Sequence, residues 1–336
     1  MKRCINCILP ETFPDISFNN EGLCSVCQEY EKRDIKGISM EILRKKFNDL
    51  ITEGKSRSKQ YDALIAYSGG KDSTYLIYKM KKDYDLNILA VTMDNGFITR
   101  KTFDNIRTIV DNMNVDHFVF KPGFDVAKRI FTTSANDDIY PKSLLKVGSS
   151  VCISCIRMVT NICLRMAIEK KIPMIMLGNS PGQIIQSESE IMYQDNKIPY
   201  ELKKNLFNPL ADKVGKEVYP YLMLEKEDYH TNPFPYTISP FPMIGYDEKE
   251  IYRTIETLGW KRPQDVDSCS TNCQLNSYGI VKHCQKHNYH PYEYELSSAV
   301  RLGTLTREEA ITRIEDSTDM SYKLAVNVEK RLINIE

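Results

Sequence analysis

Between Asp62 and Gly178, short apolar runs alternate with stretches whose apolar residues recur every three or four positions. The runs are DALIAY (62–67), LNILAVTMD (86–94), DHFVF (116–120) and PMIMLG (173–178). Between them the spacing predicts a helix over about Lys71–Lys81 and another through Phe103, Ile106, Ile109, Val110 and Met113. A helical stretch follows from Asp125, then a cysteine-bearing helix over about Ser154–Lys170. This alternation predicts the α/β class, a doubly wound and mostly parallel sheet with helices on both faces. Ligands of such sheets lie beyond the carboxyl ends of the strands, at a switch in strand order. The loops after Tyr67, Asp94 and Gly178 are therefore where a site is expected.

The flanks read differently. Residues 1–37 hold few apolar side chains beyond Ile5, Ile8, Leu9, Phe13, Ile16 and Phe18, so a module there needs an external staple. Met40, Leu43, Phe47 and Leu50 keep helical spacing before the polar GKSRSKQ, which suggests a helical linker over 38–60. The sheet domain then occupies 61–240, with 184–240 an irregular insertion or lid, rich in Pro and Tyr and containing YHTNPFPYTISPFP. Residues 241–336 form a helical C-terminal region expected to carry substrate or cluster contacts. Within it, DEKEIYRTIETL (247–258) is amphipathic with an acidic start, Thr306-x-x-Glu309 is a capping pattern, and a helix is predicted over about Asp319–Arg331.

A length of 336 residues, 42% hydrophobic, allows about two domains at ~150 residues each. Lys+Arg 45 against Asp+Glu 45 leaves no basic excess, so nucleic acid is not an expected partner. No stretch approaches the ~20 unbroken apolar residues of a membrane span. MKRCINCILPETFPD offers no apolar core of a signal peptide, so the chain is expected to be cytoplasmic with no membrane partner. In a reducing compartment its ten cysteines read as metal ligands or reactive thiols rather than disulfides.

AYSGGKDST (66–74) stands directly after a predicted strand and before a predicted helix, the context a phosphate cradle requires. Gly69 and Gly70 let the backbone turn with its N–H groups exposed, and the helix start near Lys71 adds its positive end. Ser68, Ser73 and Thr74 can donate hydroxyls to phosphate oxygens, Lys71 adds charge, and Asp72 can hold Mg²⁺. A Walker A loop is excluded by Ile65 and Asp72, which stand where that loop needs Gly and Ser or Thr. A tight capped turn would explain the glycines and serines but not the whole run.

Cys4, Cys7, Cys24 and Cys27 form a C-x2-C-x16-C-x2-C array inside the spacing window of a structural zinc ribbon, with redox-active pairs the alternative. A second set, Cys152 and Cys155 (VCISCIR) with Cys269 and Cys273 (DSCSTNC), is remote in sequence. The residues alone leave three options open there: a metal or cluster site, catalytic thiols, or inert structural cysteines. Cys163 reads as core. His283 and His287 in HCQKHNYH share a helical face, which suits a metal or substrate site or a purely structural pair. Tyr193, Tyr200, Tyr219, Tyr221, Tyr229 and Tyr236 crowd the irregular middle, for packing or for stacking on a sugar.

Ser68-Gly69-Gly70-Lys71-Asp72-Ser73 matches the SGGxDS signature of the PP-loop ATP pyrophosphatase superfamily, and the chain resembles that superfamily. VTMDNG (91–96) and LGNSPGQ (177–183) look like its other nucleotide-side loops. The resemblance implies an ATP site built from Ala66, Tyr67, Ser68, Gly69, Gly70, Lys71, Asp72, Ser73, Thr74, Met93, Asp94, Gly178 and Asn179. There the loop would bind the leaving pyrophosphate while a substrate carbonyl oxygen attacks the α-phosphate. It also implies catalytic roles for Lys71, Asp72, Cys152 and Cys269. In PP-loop tRNA thiolases a middle C-x-x-C and a later Cys hold an iron–sulfur cluster. This chain is similar in its order of Cys152, Cys155, Cys269 and Cys273, which implies a [4Fe–4S] cluster or zinc.

Nearly end to end, the chain is similar to the N-acetyl sugar amidotransferases of bacterial surface-sugar biosynthesis. These are the acetamidino-forming enzymes of O-antigen (lipopolysaccharide) and of pseudaminic- or legionaminic-type sugar pathways. The matching features are the four-Cys module, AYSGGKDST, VCISC, LGNSPGQ, DSCSTNCQLN and SSAVRLGTLTREEA (297–310). The resemblance implies adenylation of the N-acetyl oxygen by ATP, then attack by ammonia and release of AMP, with Mg²⁺ and Zn²⁺ as cofactors. The chain has no recognisable glutaminase motif. Its expected partners are therefore an N-acetylated sugar or nucleotide sugar and separate glutaminase and cyclase-like subunits, or free ammonium. Arg301 is a candidate for a substrate carboxylate or phosphate, with a surface salt bridge the alternative, and His283 and His287 are candidate substrate contacts. Two competing classes are a tRNA thiolation enzyme, against which the neutral charge weighs, and a non-catalytic zinc-ribbon scaffold.

Overall fold

The computed structural model describes residues 2–32, 40–184 and 191–333. The boundary expected at 37/38 and residues 185–190 of the expected insertion lie outside the described residues. Six strands form one sheet: β1 (Ala63–Ala66), β2 (Ile88–Met93), β3 (Asp116–Phe120), β4 (Met174–Leu177), β5 (Met192–Tyr193) and β6 (Tyr236–Ile238). Their order is β3-β2-β1-β4-β6-β5, parallel throughout except for the antiparallel β5–β6 pair. The chain winds outward from β1 through β2 to β3, then returns to place β4 on the other side of β1. The switch in strand order therefore falls between β1 and β4, with the loops after Tyr67 and Leu177 side by side.

β1, β2 and β4 are apolar at nearly every position because both faces of the sheet are covered. Leu64, Leu89, Val91 and Ile175 pack on one face against the helix Ser150–Lys170 and its neighbours. Ala63, Ile65, Ala90 and Met176 pack on the other, with the helices Met40–Arg57 and Lys71–Lys82. Ser150–Lys170 is long and apolar enough to cross a membrane by length and composition. Here Met158, Cys163, Leu164 and Ala167 are buried in the core beside the sheet.

Four sequence expectations change. The helix Met40–Arg57 runs on through the first residues of GKSRSKQ, and Leu43, Phe47, Leu50 and Ile51 join the second core, so 40–57 is a packed wall and not a tether. Within 191–240 lie the helix Tyr200–Val214 and two strands of the sheet itself. β6 is three residues long and flanked by prolines, which hides its period, while Pro209 sits inside the helix. The cysteine helix begins at Ser150, capped by the Ser149 hydroxyl accepting from the Cys152 N–H at 3.3 Å, which brings Cys152 and Cys155 into its first turns. The last helix spans Arg307–Ile333 and starts at the expected capping box, with Thr306 N–H to Glu309 Oε2 at 2.9 Å and Glu309 N–H to Thr306 Oγ1 at 3.1 Å.

The N-terminal module is clamped to this C-terminal region. Arg307 Nε donates to the carbonyls of Cys4 and Cys7 at 3.2 and 3.1 Å, Arg3 pairs with Glu293 at 2.9 Å, and Ile8 packs on Leu296, Ala310 and Ile314.

Candidate functional site

Gly69 turns the chain at φ +75°, a conformation only glycine adopts cheaply, and Gly70 caps the helix Lys71–Lys82. The Gly70 N–H donates to Ser68 Oγ at 3.3 Å and the Lys71 N–H to Thr271 Oγ1 at 3.1 Å. Hydroxyl oxygens thus accept from backbone donors that lie at a helix N-terminus, the arrangement phosphate oxygens favour. Ser68 is exposed, and its hydroxyl touches that of Ser73 at 3.1 Å. Thr74 does not face the loop's open side: it is fully buried with its hydroxyl 3.3 Å from Tyr67 Oη, so the expected phosphate contact is lost to packing.

The other expected nucleotide loops gather here. Tyr67 is buried and pairs with β2 through its N–H to the Val91 carbonyl, Ala66 ends β1, and Met93 ends β2. Asp94 follows, accepting from the Gly96 N–H and pairing with Lys121, each at 2.9 Å. Gly178 lies against the Ser73 backbone, and Asn179 Nδ2 donates to Ser239 Oγ at 3.1 Å.

Lys71 and Asp72 form the charged heart of the site. The Lys71 ammonium donates to both Asp72 oxygens (2.7 and 2.8 Å) and to Tyr246 Oη (2.8 Å), and lies 3.3 Å from Glu248. Burial works against its charge, but Asp72, Tyr246 and Glu248 outweigh that cost and hold its pKa well above the usual lysine value. Arg313 grips Glu248 with two prongs, at 3.2 and 2.7 Å. Burial favours neutral Glu248, yet Lys71 and Arg313 prevail and keep its pKa low. Glu248 belongs to the acidic start of its helix, where sequence reasoning sees a cap. Asp247 does that capping, which frees Glu248 for the site.

These residues line one cavity with Cys269, Thr271, Tyr292, Glu295, Leu296 and the turn 180–183. The stretch 267–273 lies over the loop because Asp267, fully buried, accepts from Cys269 N–H, Asn276 Nδ2, Ser277 Oγ and Ser317 Oγ at 2.9–3.1 Å. Asn272 Nδ2 reaches the Ser68 carbonyl at 3.4 Å, and Trp260 Nε1 the Gly69 carbonyl at 3.0 Å. Trp260, Tyr246, Glu248 and Arg313 carry no local motif, whereas Asp267 and Thr271 lie inside DSCSTNC, where only the cysteines give a signal.

The middle cysteines divide. Asn95 Nδ2 reaches Cys155 Sγ at 3.5 Å and Cys273 Sγ at 3.3 Å, and the Cys152 thiol donates to Asn276 Oδ1 at 3.2 Å. Cys269 faces the cavity instead. Burial pushes the Cys152 pKa up to about 12 and raises those of Cys155, Cys269 and Cys273, with Arg313 opposing the rise at Cys269. Among the described residues only Cys4, Cys7, Cys24 and Cys27 form a set of three or more His, Cys, Asp or Glu with ligand atoms all within 4.8 Å. The middle set is thus too open for a single tetrahedral ion, though a polynuclear cluster, whose ligands sit on different irons, accepts wider spacing.

The N-terminal four fit a metal. All are fully buried, with Cys4–Cys27 and Cys7–Cys24 sulfurs 3.9 and 3.8 Å apart. A zinc–sulfur bond of ~2.3 Å implies a tetrahedral edge of about 3.8 Å. His283 and His287 do not line the cavity: their ring centroids lie 4.6 Å apart, the planes tilted at 54°, beside Tyr289, and His283 is buried. Arg301 stands over the Tyr294 ring and donates to Ser298 Oγ at 2.8 Å, also away from the cavity lining.

No family model matches the chain. An uncharacterized protein of Methanocaldococcus jannaschii, MJ1599, is 22% identical over 314 residues, 93% of each chain. Among solved structures, the U34-tRNA thiolase NcsA from Methanococcus maripaludis with its [4Fe–4S] cluster matches 100% of this chain and 90% of its own at 14% identity and a TM-score of 0.37. The NMN synthetase from Francisella tularensis matches 86% and 96% at 11% identity and 0.36. The NH3-dependent NAD synthetase from Campylobacter jejuni matches 85% and 96% at 12% identity and 0.34. Likenesses this distant establish no activity, and the functional reading rests on the geometry of the site.

Proposed function

We propose that the chain is an ATP-dependent amidotransferase that adenylates the N-acetyl oxygen of a bacterial surface sugar and installs ammonia-derived nitrogen as an acetamidino group. The observation that carries this reading is the loop Ser68–Ser73 at the switch point, with Lys71 and Asp72 facing a separate cavity walled by the C-terminal helices. A nucleotide phosphate and a second substrate would thus meet across the same two side chains. An acetamide oxygen leaves poorly, whereas its adenylated form leaves easily. The loop's N–H groups and Lys71 receive the departing pyrophosphate, so negative charge develops where donors already wait. Asp72 is the carboxylate suited to Mg²⁺, whose chemistry there is to screen phosphate charge. Both Asp72 oxygens are held by Lys71, so this fit requires the ammonium to move onto the phosphates.

Mass spectrometry after incubation with ATP, ammonium and a panel of N-acetylated sugars tests the reading. The expected outcome is a product lighter by the difference between O and NH, with AMP and pyrophosphate. Accumulation of ADP and orthophosphate overturns it. A second reading, tRNA thiolation at an iron–sulfur cluster, is favoured by the convergence of Cys155 and Cys273 on Asn95 with Cys152 nearby. Brown anaerobic protein and a salt-sensitive gel shift with tRNA would support it.

A further inference from the structure

We infer that Glu295 is the general base of this reaction, taking a proton from ammonia as it attacks the adenylated amide; the assignment rests on the adenylation reading above. Five charged side chains line the cavity: Lys71, Asp72, Glu248, Glu295 and Arg313. Four of them engage one another through Lys71–Asp72, Lys71–Glu248 and Arg313–Glu248. Glu295 has no ion pair among the described residues. Neutral groups hold it instead: Ser180 Oγ donates to Oε1 at 2.8 Å, and the Gln183 side chain adds a second contact. An unpaired carboxylate in a shared wall is free to accept a proton.

Its placement is built into the fold. A Cβ at Gly182 would come within 2.6 Å of the Glu295 carbonyl oxygen and 3.2 Å of its Cγ, so only glycine lets the turn after β4 lie on the helix Glu293–Arg301. The carboxylate thereby stands at the carboxyl end of the sheet. The ionisable groups facing it are Lys71 and Asp72 from the loop helix, Cys269 from the overlying stretch, and Tyr292 just before its own helix. Burial, the dominant influence, raises its pKa above the ordinary carboxylate value.

The chemistry needs such a group. Adenylation leaves an O-adenylated imidate cation, and the ammonia lone pair forms a C–N bond to its carbon, giving a tetrahedral centre that bears –NH3⁺. Unless that nitrogen loses a proton, neutral ammonia is the better leaving group and the step reverses. Transfer of one N–H proton to Glu295 leaves –NH2. The C–O bond to AMP then breaks with its electron pair, and the nitrogen lone pair completes the amidinium.

Glu295→Gln keeps an acceptor for the Ser180 hydroxyl and removes the base. Wild type and variant are compared with ATP, ammonium chloride and the N-acetylated sugar that the wild type converts, reading pyrophosphate–ATP exchange and amidine formation separately. E295Q is expected to retain exchange, to lose amidine formation about 100-fold or more, and to lose the rise of rate with pH at constant free ammonia. Amidine formation near the wild-type rate with an unchanged pH profile overturns the assignment, as does equal loss of exchange and amidine formation. If the wild type shows no sugar-dependent exchange across the panel, the adenylation reading falls, and the assignment with it.

Discussion

The indole N–H of Trp260 donates to the carbonyl of Gly69 at 3.0 Å, tying the turn proposed to grip phosphate to a residue 191 positions later. Trp260 is 1% exposed and is the chain's only tryptophan. Its fluorescence should therefore report the loop, shifting on addition of ATP with Mg²⁺. Trp260→Phe leaves a buried carbonyl short of its donor and should cost about 1–3 kcal/mol in chemical denaturation. An unshifted spectrum at saturating ATP would separate this loop from nucleotide binding.

In the proposed reaction Lys71 and Asp72 act on charge that appears only as pyrophosphate leaves. Lys71→Ala and Asp72→Ala should each lower turnover by about 100-fold or more while the fold persists, as measured by AMP release and circular dichroism. A scaffold that merely kept the nucleotide fold would tolerate both changes. Retained activity in Asp72→Ala therefore supports that alternative.

Arg307 grips the carbonyls of Cys4 and Cys7, and Ile8 beside them packs on Leu296, a residue of the cavity wall. One zinc per chain is expected by elemental analysis. Chelation, or Cys7→Ser, should expose residues 2–32 to limited proteolysis and lower the melting temperature. Arg307→Ala should give the same proteolytic pattern with the metal retained. Protection from protease after zinc removal would mean that the module folds by burial alone.

His283 and His290 are 4% and 3% exposed, and three of their four ring nitrogens are buried without a partner. Burial, which disfavours the charged ring, pushes both pKa values down to about 3. Between the ordinary histidine value of about 6.5 and 3 the unfolded chain binds protons that the native chain refuses, so stability falls as pH falls through that window. At pH 5 each residue contributes a loss of up to about 2 kcal/mol. His283→Leu should flatten the dependence of melting temperature on pH between 7.5 and 5, and an unchanged slope would show that His283 titrates freely in the native state.

The strands β1, β2 and β4 were legible because each is an apolar run buried on both faces, β3 because it is a short apolar run although it stands largely exposed at the sheet edge, and the loop Ser68–Ser73 because glycines, serines and charge adjoin in sequence. β6 was not legible, since a three-residue strand between prolines has no period to detect. The helical linker read from Met40 to Leu50 is a wall of the sheet domain, because amphipathic spacing shows that a face is buried without naming what buries it. Thr74 fits the phosphate loop by position alone, and packing against Tyr67 turns it inward.

The sequence by itself determined the parallel sheet, the glycine turn and the four-thiol staple, all of which follow from residues close together in the chain. Only the tertiary structure decided that Glu248, Arg313, Thr271 and Glu295 share a cavity with Lys71, and that Cys269 parts from the other middle cysteines. Backbone conformation and strand burial are encoded locally. A cavity wall assembled from helices and turns far apart in the chain exists only once the core has brought them together.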